Sequence, residues 1–367
     1  MAEISEEILT EILLRLPVKP LVRFKCVSKR WHSMISDPHF TLSQLRTAML
    51  RNTNSCARVL LTGELLHSIS IESLSSSNAK APPTTVLELP VKSSGKDSEI
   101  AVVGSCDGLV CLLIDSESLV LWNPTIGECR ELPSSEFARS DVDFFYGLGY
   151  DSKTNDYKVV RGHYMEPGGR SSSSHTSIEI FSRNMDSWRR VQYDAVEFRG
   201  TDVGAYADGS LHWLRGNESE PVNKIVSFDL SEEMFHETVP MTGINDFEKL
   251  PLEGLCVSGE CLLVYRGCNF GADFEAWMMK WEGKESSWSK LCSVPRDALP
   301  FTKYWLNPID FTVDGKVLFN SAGWELCLYD QKENALKRFD FENDWVFDGS
   351  ATYVESLVSP HGGSKRS

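Results

Sequence analysis

The stretch Gly104-Ser105-Cys106-Asp107-Gly108-Leu109-Val110, continued by Leu121-Trp122-Asn123-Pro124-Thr125, opens a pattern that repeats down the chain. An aromatic residue is followed seven positions later by a large apolar or aromatic one at Trp122/Cys129, Phe181/Trp188, Phe228/Phe235, Trp281/Trp288 and Tyr329/Leu336. Three residues further on stand Leu132, Val191, Thr238, Leu291 and Phe339, with Cys129 and Thr238 the weak members of the two series. The aromatic anchors lie 59, 47, 53 and 48 residues apart, which is the period of propeller blades. A β-sandwich would give evenly spaced strands without this internal period.

A turn mark precedes most anchors: Asp107-Gly108, Asp208-Gly209, Ser258-Gly259 and Asp314-Gly315, each with apolar flanks. Such pairs supply the positive φ that a tight hairpin demands. The second unit has Tyr146-Gly147-Leu148-Gly149-Tyr150-Asp151, the turn Lys153-Thr154-Asn155-Asp156 and the strand Tyr157-Lys158-Val159-Val160 instead. Each unit therefore reads as two hairpins, four strands, and five units run from about residue 100 to 341. Strand composition recurs at 57–62, 67–72 and 85–89, and again at 351–358. The economical assembly is a sixth blade built from both chain ends, which closes the ring and leaves no sheet edge exposed. The insertions 75–83, 168–174, 216–220 and 243–246 read as surface loops, and 359–367 as a disordered tail.

Ahead of the repeat lies a helical block. At 100° per residue Ile8, Ile12, Leu16, Leu9 and Leu13 fall at roughly 0°, 40°, 80°, 100° and 140°, one apolar stripe with Leu14 off it. Ser5 suits the N-cap, with Glu6 and Glu7 in the first turn against the helix dipole. Leu16-Pro17 marks a stop, because the residue before proline avoids the α region. Pro20 suits the first turn of a second helix carrying Leu21, Phe24 and Val27, and a third short helix holds Trp31, Met34 and Ile35 before Asp37-Pro38 breaks the run. A block of about 40 residues seldom folds alone, so its stripe packs either on the rest of this chain or on another polypeptide.

The spacing Ile8-Leu9-x-x-Ile12-Leu13-x-x-Leu16-Pro17, followed by Leu21-Val22-Arg23-Phe24-Lys25-Cys26-Val27-Ser28-Lys29-Arg30-Trp31 and Ile35, resembles an F-box. It departs at Ile4-Ser5, where an F-box often opens with Leu-Pro. The repeat region resembles the kelch-like F-box-associated domain of plant F-box proteins, through the stretches around Asp107, Trp122 and Tyr146 quoted above, although the Gly-Gly doublets of typical kelch repeats are missing. The resemblance implies a small all-α F-box at 1–46, a linker at 47–56 and an all-β propeller of six four-stranded blades at 57–358. It implies a substrate-recognition subunit of an SCF-type ubiquitin ligase, docking a Skp-type adaptor that bridges to a cullin while the propeller holds an unknown target protein. The adaptor-binding positions it carries over are Leu9, Ile12, Leu13, Leu16, Pro17, Leu21, Val27 and Trp31.

Composition narrows the alternatives. Residues 1–46 hold seven Lys/Arg against five Asp/Glu, leaving 30 against 47 and a net charge of −17 for the remainder. That balance opposes nucleic-acid and anionic-membrane binding, and with it a helix-turn-helix reading of the block. The longest apolar run near the middle, Leu109–Ile114, is far below the length of a membrane span. The acidic N-terminus and ten scattered cysteines without a Cys-x-x-Cys pair fit reduced thiols and a cytoplasmic or nuclear setting. The competing reading is a propeller enzyme, a metal-dependent hydrolase or kelch-type oxidase with a helical cap. Against it, the eight histidines include no His-x-His or His-Glu-x-x-His pair, and no nucleophile elbow or phosphate-binding glycine loop occurs. His212 beside Trp213 reads as a hydrogen-bonded core residue, and Trp122, Trp188, Trp281, Trp288 and Trp324 as blade core. No catalytic residue, cofactor or metal ligand is expected.

Overall fold

The computed structural model describes residues 5–51, 56–76, 82–89, 91, 99–134, 144–164, 175–194, 202–217, 220–236, 252–267, 272–282, 285–299, 306–312, 314–321, 325–339, 341, 347 and 349–362. Four helices come first: α1 (Glu6–Leu14), α2 (Val18–Phe24), α3 (Lys29–Ile35) and α4 (Pro38–Arg51). Ser5 caps α1 by accepting the Ile8 N–H, and Ser28 caps α3 by accepting that of Trp31. The fourth helix corrects the expectation of three. Asp37 caps it, its Oδ1 accepting the N–H groups of His39 and Phe40, and Pro38 sits in the first turn where its missing N–H costs nothing. The same dipeptide that stops α3 starts α4, which continues as helix across the boundary expected at residue 46 and through the first part of the expected linker.

Six four-stranded antiparallel sheets follow. The first blade combines β1 (Ala57–Thr62), β2 (Leu66–Ser70) and β3 (Thr84–Leu87) with the last strand of the chain, β24 (Gly349–Val354). A short helix, α5 (Ile71–Ser76), takes up part of the region read as strand at 67–72 and of the excursion at 75–83. The second blade is β4 (Ile100–Cys106), β5 (Leu109–Ile114), β6 (Ser118–Asn123) and β7 (Glu128–Glu131). The third is β8 (Phe144–Asp151), β9 (Asp156–Tyr164), β10 (His175–Ser182) and β11 (Ser187–Asp194). The fourth is β12 (Ala205–Ala207), β13 (Ser210–Asn217), β14 (Glu220–Asp229) and β15 (Met234–His236). The fifth is β16 (Gly254–Ser258), β17 (Cys261–Arg266), β18 (Phe274–Glu282) and β19 (Glu285–Val294), and the sixth β20 (Leu306–Phe311), β21 (Lys316–Ser321), β22 (Glu325–Asp330) and β23 (Ala335–Phe339). The first-position strands β24, β4, β8, β12, β16 and β20 touch in that order and β20 touches β24 again, so the ring closes. Closure is made by β24 pairing with β1 from Ala57↔Val354 to Thr62↔Gly349, as strand composition at the two chain ends predicts.

Four of the five sequence pairs are cross-strand neighbours: Trp122↔Cys129, Phe181↔Trp188, Phe228↔Phe235 and Tyr329↔Leu336. The fifth is corrected. The β18–β19 hairpin already pairs Glu282 with Glu285, so Trp288 faces Met279 and Trp281 faces Ser286. Met279 and Trp288 are both buried and occupy the anchor site. The side chain of Trp281, all of Trp324 and the loops at 168–174 and 243–246 lie outside the described residues. The turn marks behave as predicted: Asp107, Gly108, Asp208 and Gly209 take φ of 53°, 84°, 47° and 74° in two-residue hairpins. Gly147 and Gly149 serve a different purpose, since a β-carbon would lie 2.8 Å from Leu211 and 2.4 Å from Tyr206 where β8 presses on the fourth blade.

Beyond β24 the chain does not fray at Ser359 as expected. Residues 355–362 form a strap across the ring: buried Asn123 donates through Nδ2 to the carbonyls of Ser356 and Val358 at 3.1 and 2.8 Å, Ser359 bonds Glu128, and the Ser359 carbonyl accepts from Arg183. Pro360 is buried. Residues 363–367 lie outside the described residues. Asn123→Ala leaves these buried acceptors without their donor and is expected to cost about 2–3 kcal/mol, read as the change in equilibrium urea unfolding.

Candidate functional site

Within each blade alternate strands reverse direction, so the hairpins between first and second strands and between third and fourth strands lie at one end of the ring. We term this the turn end; the links from second to third strands and from blade to blade lie at the crossover end. The helical block sits at the turn end. Its core of Leu13, Val18, Leu21, Ile35 and Phe40 includes Leu357 of the strap and touches Ile126 in the β6–β7 turn. Helix α4 spans both units: Phe40 belongs to the helical core, whereas Leu45 joins Val103, Cys106 and Tyr150 in the ring. Buried Gln44 donates from Nε2 to the Leu16 carbonyl at 3.1 Å, which fixes the α1–α2 turn against α4. Arg46 lies near Asp107 at the tip of the β4–β5 hairpin and, after the Tyr157 hydroxyl, opposes the rise in the Asp107 pKa that burial causes.

This arrangement divides the apolar stripe of α1. Leu13, 1% exposed, and Leu21 of α2, fully buried, are enclosed within the block and hold its shape. Of the eight positions carried over from the resemblance, these two are enclosed in the chain by itself. Leu9, Leu16 and Trp31 are half-buried, with Trp31 edge-on to Phe24 at 5.4 Å. Ile12, at 46%, and Val27, at 60%, stand in solvent, and Pro17 at the α1–α2 junction is exposed too. Ile8, 57% exposed, was read in the stripe without being placed among the contact positions. Leu14, off the stripe, packs on the inner core. The covered edge of the helix is thus the Leu9/Leu13 side, and the Ile8/Ile12 edge is left over. Arg30 pairs with Glu6 at 2.8 Å across α3 and α1, with both side chains 62% exposed, so the basic residues near Trp31 supply alignment more than stability.

Catalytic chemistry finds little footing among the described residues. The group best placed to share a cation is Asp229, Glu232 and His236, yet Asp229 already accepts the N–H groups of Ser231 and Glu232, and His236 pairs with Glu232 at 3.6 Å. Buried Cys292 and Cys327 have their thiols pushed up to about 12 by desolvation, which withholds the thiolate. The described cysteines are unpaired by disulfides. His212 is buried between Ser227 Oγ at 2.7 Å and the Ala207 carbonyl at 3.2 Å, the core role that its strand position predicts. Asp151, missed as a structural node, accepts from Lys158, Ser231 and Thr154, and Lys158 also reaches Glu233, so this ion network bolts the third blade to the fourth. The sequence signal for it was the Asp closing the Tyr146–Asp151 motif.

Comparison with known proteins agrees with this geometry. The F-box associated beta propeller domain matches residues 58–360, and the F-box domain matches residues 1–43. The chain belongs to the F-box proteins with an F-box-associated propeller. Among its relatives in Arabidopsis thaliana, an F-box/kelch-repeat protein is 31% identical over 97% of this chain and 95% of its own length. The F-box protein CPR1 is 30% identical over 98% of this chain and 89% of its own. Such relatives identify the chain as a plant-type F-box protein. An F-box ahead of a propeller is the organisation of a substrate receptor in general, and the F-box indicates a Skp-type adaptor as partner.

Two measurements test the division of labour inside this F-box protein. Leu13→Ala opens a cavity in the helical core and is expected to cost about 2–5 kcal/mol in urea unfolding, whereas Ile12→Asp on the uncovered edge changes it by less than about 0.5 kcal/mol. His212 has its pKa lowered from 6.5 to about 4, chiefly by burial, so the unfolded chain binds the proton more readily than the folded one. Its contribution is complete above pH 6.5 and falls away as the pH drops toward 4, by about 3 kcal/mol. Urea midpoints at pH 7 and pH 4.5 should therefore drop further in the wild type than in His212→Gln.

Proposed function

We propose that this chain is the substrate-recognition subunit of an SCF-type E3 ubiquitin ligase, in which the F-box docks a Skp-type adaptor bridging to a cullin and the propeller holds the target protein. The observation that carries the reading is the exposure of Ile8 and Ile12 on α1 and of Val27 in the turn after α2, on a block whose core is fixed to the ring through Leu357 and Leu45. Apolar side chains this exposed on a block with a complete core of its own mark a surface for another polypeptide. Ile12, Pro17 and Val27 are the direct contacts from the family positions, with Leu9, Leu16 and Trp31 at the base of the surface and Leu13 and Leu21 supporting it from beneath.

The work done is positional. Holding a target on a rigid ring at a fixed distance from the adaptor raises the effective concentration of its lysines at a ubiquitin-charged enzyme carried elsewhere in the complex. No acid, base or nucleophile is required of this chain, which acts in the cytoplasm or nucleus. Binding of a purified Skp-type adaptor, measured by titration calorimetry, is expected to weaken roughly tenfold or more for Ile12→Asp and for Val27→Asp, with the unfolding midpoint unchanged. Unaltered affinity in both variants removes this edge from the interface.

A further inference from the structure

Of the sixteen prolines in the chain, only Pro360 follows a serine or threonine. A protein kinase that reads a hydroxyl residue followed by proline therefore has one place to act, Ser359 in the strap. Ser359 is half-buried, and His361 just beyond it is exposed. Its hydroxyl donates to Glu128 Oε2 on β7 at 2.6 Å and accepts the His361 N–H at 3.2 Å. Its carbonyl accepts from Nη1 of Arg183, in the β10–β11 turn, at 3.1 Å. These bonds hold the end of the strap on the second and third blades. Inward of them, Val358 and Leu357 are buried in the ring core and the helical core.

The charges around this hydroxyl are unevenly matched. Arg183 has Asp156 near it, lies over the Tyr157 ring at 4.7 Å and gives Nη2 to Asn184. Only its Nε lacks a partner among the described residues, and that atom is buried. Arg130 pairs with Asp186 and donates to the Arg183 carbonyl. Glu128 pairs with no cation among the described residues, and the Ser359 hydroxyl is what its carboxylate holds. Two guanidinium groups thus stand with three carboxylates, one of which depends on a hydroxyl alone. A phosphate brings a charge of about −1.5 to −2 at neutral pH, so on Ser359 it replaces the donor that Glu128 holds with a like charge.

We propose that Ser359 is a phosphorylation site and that the end of the strap is the latch it opens. Terminal segments open locally more often than cores do, and opening presents the Ser359-Pro360 pair, whose proline is buried while the strap is down. A proline-directed kinase then transfers the γ-phosphoryl group of ATP to Ser359 Oγ. The new O–P bond forms as the bond to the β-phosphate oxygen breaks, ADP leaves, and the hydroxyl proton passes to solvent. Closing would press the phosphoserine on Glu128, so the lifted state is the one retained. Arg183 loses the Ser359 carbonyl in the same event. Val358 and Leu357 are then held by Asn123 and their own burial, and the helical block keeps α4 but a looser strap. The latch sets how firmly the block is fixed to the ring, and it stands whether or not the receptor reading holds.

Two measurements on the full chain test this. The chain is incubated with ATP and a purified proline-directed kinase, beside Ser359→Ala and a free peptide of residues 354–367. Phosphate is expected on Ser359 by fragment mass spectrometry in the chain and the peptide, and none on the C-terminal fragment of Ser359→Ala. Modification of the peptide but not the chain, or of neither, overturns the proposal. The chain carrying phosphoserine at 359 is then compared with the unmodified chain by hydrogen exchange over residues 355–362. Exchange there is expected to quicken roughly tenfold, with β5 unchanged, and Glu128→Gln is expected to remove most of the increase. Unchanged or slower exchange, as capture of the phosphate by Arg183 gives, overturns the latch. So does an increase shared by β5, which reports general unfolding, or one that Glu128→Gln leaves whole.

Discussion

Everything in this molecule hangs on the pairing of β24 with β1. A ring whose first and last blades are not joined exposes two sheet edges and loses the continuity of its inner strands, so the antiparallel ladder from Ala57↔Val354 to Thr62↔Gly349 turns five separate hairpin pairs and two loose ends into one closed object. Loop-closure entropy for ends so far apart in sequence grows only logarithmically, and the ladder recovers it through hydrogen bonds and the burial of Val59, Leu60 and Tyr353. The same strand then delivers the strap. Three residues beyond Val354, Leu357 enters the helical core, and Val358 enters the ring core beside it. Closure of the ring and attachment of the helical block are thus consecutive acts of one segment, and Asn123, bonded to that segment on three sides, locks it.

Attachment in turn decides what α1 can offer. An amphipathic helix presents a stripe, and the stripe alone does not say which edge is covered. Here Leu357, Phe40 and Leu21 take the Leu13 edge, so that what faces solvent is the flank carrying Ile8 and Ile12. Had the strap ended at Val354, the flank would be oriented relative to the propeller by α4 alone, through Leu45, instead of being held from two sides.

The repeat was legible because four of the hairpins between third and fourth strands share one loop length, which holds an aromatic and its partner seven residues apart. Where the loop shortens, at Glu282↔Glu285, the spacing selects Trp281 although Met279 fills the site, because periodicity in sequence reports register only while turns are conserved in length. The Asp-Gly pairs and the strand character at both termini were legible for a local reason: positive φ and β-branched alternation are properties of a few adjacent residues. Asp37-Pro38 was half legible, since proline ends one helix and starts another by the same chemistry. Leu13 and Asn123 were not, because their burial depends on which segments fold over them, α2 to α4 and Leu357 over the one and Ser356–Val358 over the other.

Rigidity gives these placements a functional consequence. The helical block and the propeller share α4, which contributes Phe40 to one core and Leu45 to the other within a turn and a half of helix. Two units joined by a flexible linker would sample many separations, and the effective concentration at either would fall steeply with linker length. Two units sharing a helix and a strap hold one separation, so in the ligase role proposed above a target seated on the ring presents its lysines over a restricted zone instead of a broad one. Selectivity in such a receptor would then arise twice, from the side chains that grip the target and from whether a lysine lies within that zone. The second filter needs no contact with the modified residue at all.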